Sequence, residues 1–301
     1  MPNYLYRNIL GIFIIDAGDT LMDQKLNPED TADAQEILAK KYNAVPYPFP
    51  RVPAFLKDQK YYPFFRSRNL EIAKAKIRDS VGNDQLISQA VNSADEAEKI
   101  INSLSKRLRE WYGLHAPEFT AGISHNQRFA ELIVARKEKD ESQDEKRNSM
   151  GASLPAGDIE MVQCLAKEVL SLYAFKENVQ HYLEKKLEEH APNLKAVAGT
   201  MLSAKLIEYA GSLKRLVMMP SSTIQVMGAE KALFRHMRTG AKSPRHGIII
   251  DHPLISNAKD KEHGKRARAV AGAISLAVKV DFFKGAFVGK RLRDDLEVRF
   301  P

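Results

Sequence analysis

The sequence predicts a mainly α-helical protein with a small α/β domain at its N-terminus. A long antiparallel coiled-coil hairpin follows, and then a compact all-helical C-terminal domain. Three observations predict this. One Ile/Phe/Tyr-rich segment stands alone near the start. Two long blocks carry apolar residues at steps of three and four. The last third is cut by Gly and Pro into short helical pieces. At 301 residues the chain exceeds one small core, and the boundaries read 1–82, 83–195 and 196–301.

In the first domain, "YLYRNILGIFIID" (Tyr4 to Asp16) alternates loosely and reads as a strand. "NPEDTADAQEILAKKY" has an Asn cap, Pro at the first helical position, early acids and late lysines, the marks of a short helix. "VPYPFPRVP" holds four prolines in nine residues, so it reads as an extended, packed loop.

In the first long block, Leu86, Ala90, Val91, Ala94, Ala97, Ile101, Leu104, Leu108 and Trp111 form an apolar stripe. In the second, Val162, Leu165, Val169, Leu172, Val179, Leu183 and Leu187 do the same, interrupted by Lys176. Between them "ARKEKDESQDEKRNSMGASLPAG" has almost nothing to bury and reads as a polar, mobile hairpin tip. Two stripes joined by a solvated tip predict an antiparallel coiled coil, and its leftover apolar surface predicts self-association into a homodimer.

From about Ala191 the pattern is helical, with breaks at Gly199, Gly211, Pro220 and Gly240. "HGIIIDHPLI" offers one short buried strand or turn. "KEHGKRARAVAGAISLAVKVDFF" reads as the final helix, basic at its start and apolar later.

The totals narrow the function classes. No apolar run reaches the ~18 residues of a membrane span. "NILGIFIID" lacks the basic flank and cleavage site of a signal peptide. One cysteine, Cys164, excludes an intramolecular disulfide framework and predicts an intracellular, reducing setting. Net charge is +8 with pI near 9.3. From Gly211 to Pro301 there are 18 Lys/Arg and 8 Asp/Glu, whereas the first 210 residues hold 28 and 30. The whole positive excess therefore lies in the last third, which predicts a polyanion partner there.

No pattern argues for catalysis, a metal or a cofactor. "FIIDAGDTL" resembles the strand end of aspartate-nucleophile phosphatases, but Ala17 and Gly18 displace the second acid, Asp19. A strand running into an acidic turn is the better reading. His236, His246, His252 and His263 lack the i, i+4 spacing of a chelating pair and read as surface or RNA-facing histidines. "KGAFVGKRL" lacks the full spacing of a phosphate loop.

The basic third has a defined layout. Gly228 can open a helix whose first turn carries Ala229, Glu230 and Lys231, with amides suited to a phosphate. Lys231, Arg235 and Arg238 share one helical face. Lys242, Arg245 and His246 sit on a Pro-Gly loop. Lys265, Arg266 and Arg268 open the last helix. Three basic clusters on one domain can clamp a curved phosphate backbone, and Arg or His can stack on an unpaired base.

"STIQVMGAEKALFRHMRTGAKSPRHG" closely resembles the Gly-Ala-Glu-Lys signature region of the Nop-domain proteins. The likeness extends through "HAPNLKAVAGTMLSAKLIEYAGSLKRL", "LREWYGLHAPEF" and "RNLEIAKAKIRDSVGNDQLISQAV". It covers roughly residues 66 to 300, with a gap at the charged tip. In size it is similar to the archaeal member, the scaffold of C/D-box RNA–protein particles, which implies a cytoplasmic, archaeal protein.

The resemblance implies three working parts: an N-terminal domain that docks the methyltransferase fibrillarin, a coiled coil that self-associates, and a Nop domain. That last part would bind a kink-turn in a C/D-box guide RNA already held by a small ribosomal-type RNA-binding protein. Such a particle guides 2′-O-methylation, and this chain would position the enzyme without being one. Gly228, Ala229, Glu230 and Lys231 carry over as the signature. Arg245 falls where a relative contacts the kink-turn, with His246 beside it, so the role falls on one of the two. The family often continues into a lysine-rich tail past the position of Pro301, and RNA affinity carried there would be missing from these residues. The alternative is a general basic nucleic-acid binder without kink-turn preference.

Overall fold

The structure is a computed structural model that describes residues 3–18, 20–26, 31–48, 52–136 and 149–300. Two compact units, Met1–Val81 and Gly82–Pro301, divide it.

In the first unit, strands β1 (Tyr4–Asn8), β2 (Gly11–Ile15), β3 (Leu21–Leu26) and β4 (Val45–Pro46) form one sheet in the order β3-β2-β1-β4. The single strand expected over Tyr4–Asp16 is in fact a hairpin. Asn8 faces Gly11 in the antiparallel register, and Asn8 Oδ1 accepts from the Leu10 amide at 2.9 Å. That short side-chain bond turns the chain where the apolar pattern runs on. β3 went unread because its polar residues hide the strand.

All of β2 is buried, since it is covered on both faces. Ile12 and Ile14 pack with Leu5 and with Leu38 of α1 (Thr31–Tyr42); Phe13 and Ile15 pack with Leu10, Leu56 and Tyr61. In the proline-rich segment, Val45 and Pro46 form the edge strand β4, parallel to β1, and an edge strand tolerates the N–H that Pro46 lacks. The expected caps of α1 (Asn27 and Pro28) lie outside the described residues. α2 (Tyr62–Ser80) ends the unit and buries none of its own side chains.

The second unit is helical. α3 (Asn83–Tyr112) and α6 (Ala156–His190) run antiparallel side by side. Their polar contacts fix the register: His190 Nε2 meets Asp84 Oδ1 at 2.6 Å, and Lys176 donates to Glu98 Oε2 at 3.1 Å. The lysine that interrupts the α6 stripe is thus an inter-helix tie. Both stripes face inward, but at the ends of α3 it is Ile87 and Tyr112 that are buried, one position on from Leu86 and Trp111.

The link between the long helices is more than a polar tip. α4 (Pro117–Gly122) and α5 (Asn126–Ala135) pack there, and Phe129, Ala130 and Ile133 share a core with Leu108, Tyr112, Val162 and Val169. Arg109 holds the turn between them. Its guanidinium donates to Asn126 Oδ1 at 2.8 Å and to the carbonyls of Thr120, Ile123 and Ser124, and stacks over Phe129. The charged residues 137–148 of the expected tip lie outside the described residues.

Among the described residues eight further α-helices follow in the unit: α7 (Pro192–Ala198), α8 (Thr200–Ala210), α9 (Leu213–Met218), α10 (Ser221–Val226), α11 (Glu230–Thr239), α12 (Pro253–Ser256), α13 (Asp260–Phe282) and α14 (Gly289–Arg299). Gly199, Gly211, Pro220 and Gly240 each cap a helix end, where the sequence placed the breaks. α13 is the central element. Ala267, Val270, Ala271, Ala273, Ile274, Ala277 and Val278 line its buried side, and small residues let the surrounding helices approach closely. α13 is not the final helix, because α14 follows it. The "HGIIIDHPLI" segment forms a 3-10 turn over Ile248–Asp251 rather than a strand.

Candidate nucleic-acid interface

The signature turn between α10 and α11 is built on backbone geometry. Gly228 has φ +83°, and a Cβ there would lie 2.4 Å from Ile248 Cγ2. Only glycine meets both demands. The turn is then zipped to the Arg245–Ile248 loop. The Gly247 amide donates to the Gln225 carbonyl at 2.9 Å, the Ile248 amide to the Met227 carbonyl at 2.8 Å, and Gln225 Nε2 to the Arg245 carbonyl at 2.7 Å. Residues twenty apart in the chain therefore form one surface. Gln225 and Ile248 were missed as site builders, since neither carries the charge that marks a site in sequence.

Ala229 caps α11, and Glu230 Oε1 accepts from the Gly228 amide at 2.7 Å. The protein's own carboxylate already sits at that helix start, and a phosphate there must coexist with it or displace it.

Lys231, Arg235, Arg238 and Lys242 are exposed, and among the described residues none has an ion-pair partner. Phe234 and Met237 lie exposed on the same helix. His236 Nδ1 bonds the Ala241 carbonyl and braces the Gly240 turn.

Arg245 is exposed and positioned. Its Nη1 donates to the Asp260 carbonyl at 3.1 Å and to Asp260 Oδ2 at 3.2 Å, and its aliphatic stem lies against Gly264. The neighbouring His246 meets the His263 ring edge to face, with centroids 5.5 Å apart. The basic loop is thereby docked onto the start of α13. Within the third cluster the side chains diverge. Arg266 turns inward, donating to the Leu254 carbonyl at 3.2 Å and to Glu262. Lys265 and Arg268 stay exposed and line a cleft of about 700 Å³ with Leu276, Leu292 and Arg299.

One histidine departs from expectation. His252 is buried: the Leu254 amide donates to its Nδ1, and its Nε2 faces the Val197 carbonyl at 2.9 Å. Burial pushes its pKa below the usual imidazole value, against the smaller opposing pull of the Val197 carbonyl. It is a neutral core residue. Asp16, the other candidate for chemistry, uses Oδ1 to accept from the Gly18 and Thr20 amides at 2.8 Å each. It closes the β2–β3 turn. Asp19 lies outside the described residues.

An acid-poor, cation-rich face assembled from a glycine turn, a basic loop and a helix start defines a polyanion-binding class of helical domain. Residues 93–301 match the Nop family, described as "snoRNA binding domain, fibrillarin". The chain belongs to that family. A NOP5 family protein of Methanocaldococcus jannaschii is 37% identical over 260 residues, 79% of this chain and 63% of its own length. Nucleolar protein 56 of Homo sapiens is 34% identical over 252 residues, 75% of this chain and 42% of its own. The chain thus spans less than two thirds of the length of these relatives. A solved chain from a fibrillarin/Nop5p complex aligns over 98% of both chains, with TM-score 0.45 and 24% identity.

Proposed function

We propose that this protein is a non-catalytic scaffold of a C/D-box RNA–protein particle. Residues 196–301 bind a kink-turn guide RNA together with a small ribosomal-type kink-turn protein. Residues 83–195 self-associate as a coiled coil, and residues 1–82 dock fibrillarin for 2′-O-methylation. Similarity to an archaeal NOP5 protein supports an archaeal setting.

The observation that carries this reading is the docking of the Arg245–His246 loop between the signature turn and α13. It holds Arg245 in place while leaving it exposed, as a residue that reads RNA shape must be. Lys231, Arg235, Arg238, Lys242, His246, Lys265 and Arg268 are the other RNA-facing residues proposed. Gly228, Ala229 and Glu230 shape the turn, and Arg266 braces α13 from within.

A gel shift tests the reading, using kink-turn RNA with and without the small protein, and a plain duplex as control. A supershift that requires both RNA and partner is the expected result. Equal binding to every RNA without the partner, with a steep salt slope, would instead establish a general basic binder.

A further inference from the structure

The far end of α13 carries a second group of exposed aromatic and basic side chains. At about 1.5 Å per residue, Phe283 lies about 28 Å along the helix axis from Gly264, against which Arg245 packs. Phe283 is 74% exposed and Phe287 60%. The Phe282 and Phe283 rings meet edge to face, with centroids 5.3 Å apart. Lys279, Lys284, Lys290 and Arg291 flank them along the chain, exposed and without an ion pair among the described residues.

The turn that displays these rings is held firmly. Asp281, its one acid, points inward: its Oδ1 accepts from the Asn193 amide at 3.0 Å and from Asn193 Nδ2 at 2.7 Å, and its Oδ2 from the Leu194 amide at 2.8 Å. Asn193 is buried and closes the other side, its Oδ1 accepting from the Val288 and Gly289 amides at 2.6 and 2.7 Å. Gly289 sits so close to α7 that a Cβ would lie 2.7 Å from that of Ala196. Both ends of the 282–288 segment are therefore pinned to α7. A backbone pinned at both ends loses less further freedom when a partner covers the side chains it displays.

Charge selects the partner. With Asp281 internally bonded, the turn offers only cations beside its aromatic faces. Bases that stack on rings while lysines meet their phosphates fit this arrangement. Lys265, Arg268, Gly272, Leu276, Lys279 and Phe283 also recur at steps of three and four. The first five share one face of α13 and Phe283 follows at its C-cap, so the cations at both ends of the helix look the same way.

We propose that the Phe282–Gly289 turn is a second RNA contact. It stacks unpaired bases on Phe283 and Phe287, and Lys279, Lys284 and Lys290 meet the adjoining phosphates. This rests on the RNA-binding reading of the Arg245 face.

The test is fluorescence anisotropy of the full chain with a labelled oligouridylate, in an Arg245→Ala background that weakens the first face. The double variant Phe283→Ala/Phe287→Ala is expected to bind about tenfold or more weakly, as the loss of base stacking requires. Phe283→Trp/Phe287→Trp should retain affinity, and all forms should keep the same circular dichroism. If the alanine pair binds like its background while Arg245→Ala alone weakens RNA binding, the second contact is refuted and the first face stands. If no form binds oligouridylate while the wild-type chain still joins kink-turn RNA and the small protein, the second contact is refuted and the first face stands; if it joins neither, the underlying reading falls, and this inference with it. If the alanine pair keeps oligouridylate affinity but no longer captures fibrillarin or the small kink-turn protein, the turn is a protein surface and the inference is overturned.

Discussion

Single side chains divide here into those that hold the interface and those that would touch a ligand. Lys231 has no partner among the described residues, whereas Arg245 is held by an exposed contact to Asp260. Lys231→Ala and Arg245→Ala should each weaken ternary RNA binding by about 1–3 kcal/mol with unchanged circular dichroism. Unaltered affinity in both would remove these residues from the site. His252 makes a different prediction. Its folded pKa is lowered, so its contribution to stability is complete above the unfolded value of about 6.5 and declines as pH falls below it. Urea unfolding from about pH 7.5 down to about pH 5 should show that decline, reduced in slope in His252→Gln. Charge marked Lys231 and Arg245 in the sequence. The burial of His252 was not legible there, because it depends on α7 supplying the Val197 carbonyl.

Among the elements, the α10–α11 turn and the 245–248 loop behave as one piece. Gly228→Ala adds a Cβ to a left-handed residue and drives it into Ile248, so stability should fall by about 1–3 kcal/mol. RNA binding should fall with it, although residue 228 contributes no side chain to a ligand. Thermal unfolding and the kink-turn gel shift measure the two effects. Wild-type stability in the variant would show that the turn adjusts freely and that its glycine is not structural. The long helices were legible because apolar spacing is a local signal. The β1–β2 hairpin was misread as one strand because Asn8 turns the chain inside a continuous apolar run. α4 and α5 were passed over, since their packing on Leu108 and Val162 depends on residues distant in sequence.

For the molecule as a whole, the paired helices α3 and α6 leave Ile100, Met161, Phe175 and Tyr182 exposed. Apolar side chains on a long helical pair favour association with a second copy. The full chain should sediment as a dimer at tens of micromolar, and Phe175→Glu should shift it toward monomer. A wild-type monomer at that concentration would end the self-association proposal.

The sequence by itself determined the helical class, the two long stripes, the helix breaks, the segregation of positive charge and the family. All of these are carried by residue identity and short-range spacing. Tertiary structure decided which cations are free and which are spoken for. Arg266 turns into the fold and Glu230 occupies its own helix start, while Arg245 is steadied by a carboxylate fifteen residues away. Folding also joined the signature turn to the basic loop, through hydrogen bonds between residues twenty or more apart. Neither spacing nor composition encodes such pairings, because a hydrogen bond depends on distance in space and not on distance along the chain.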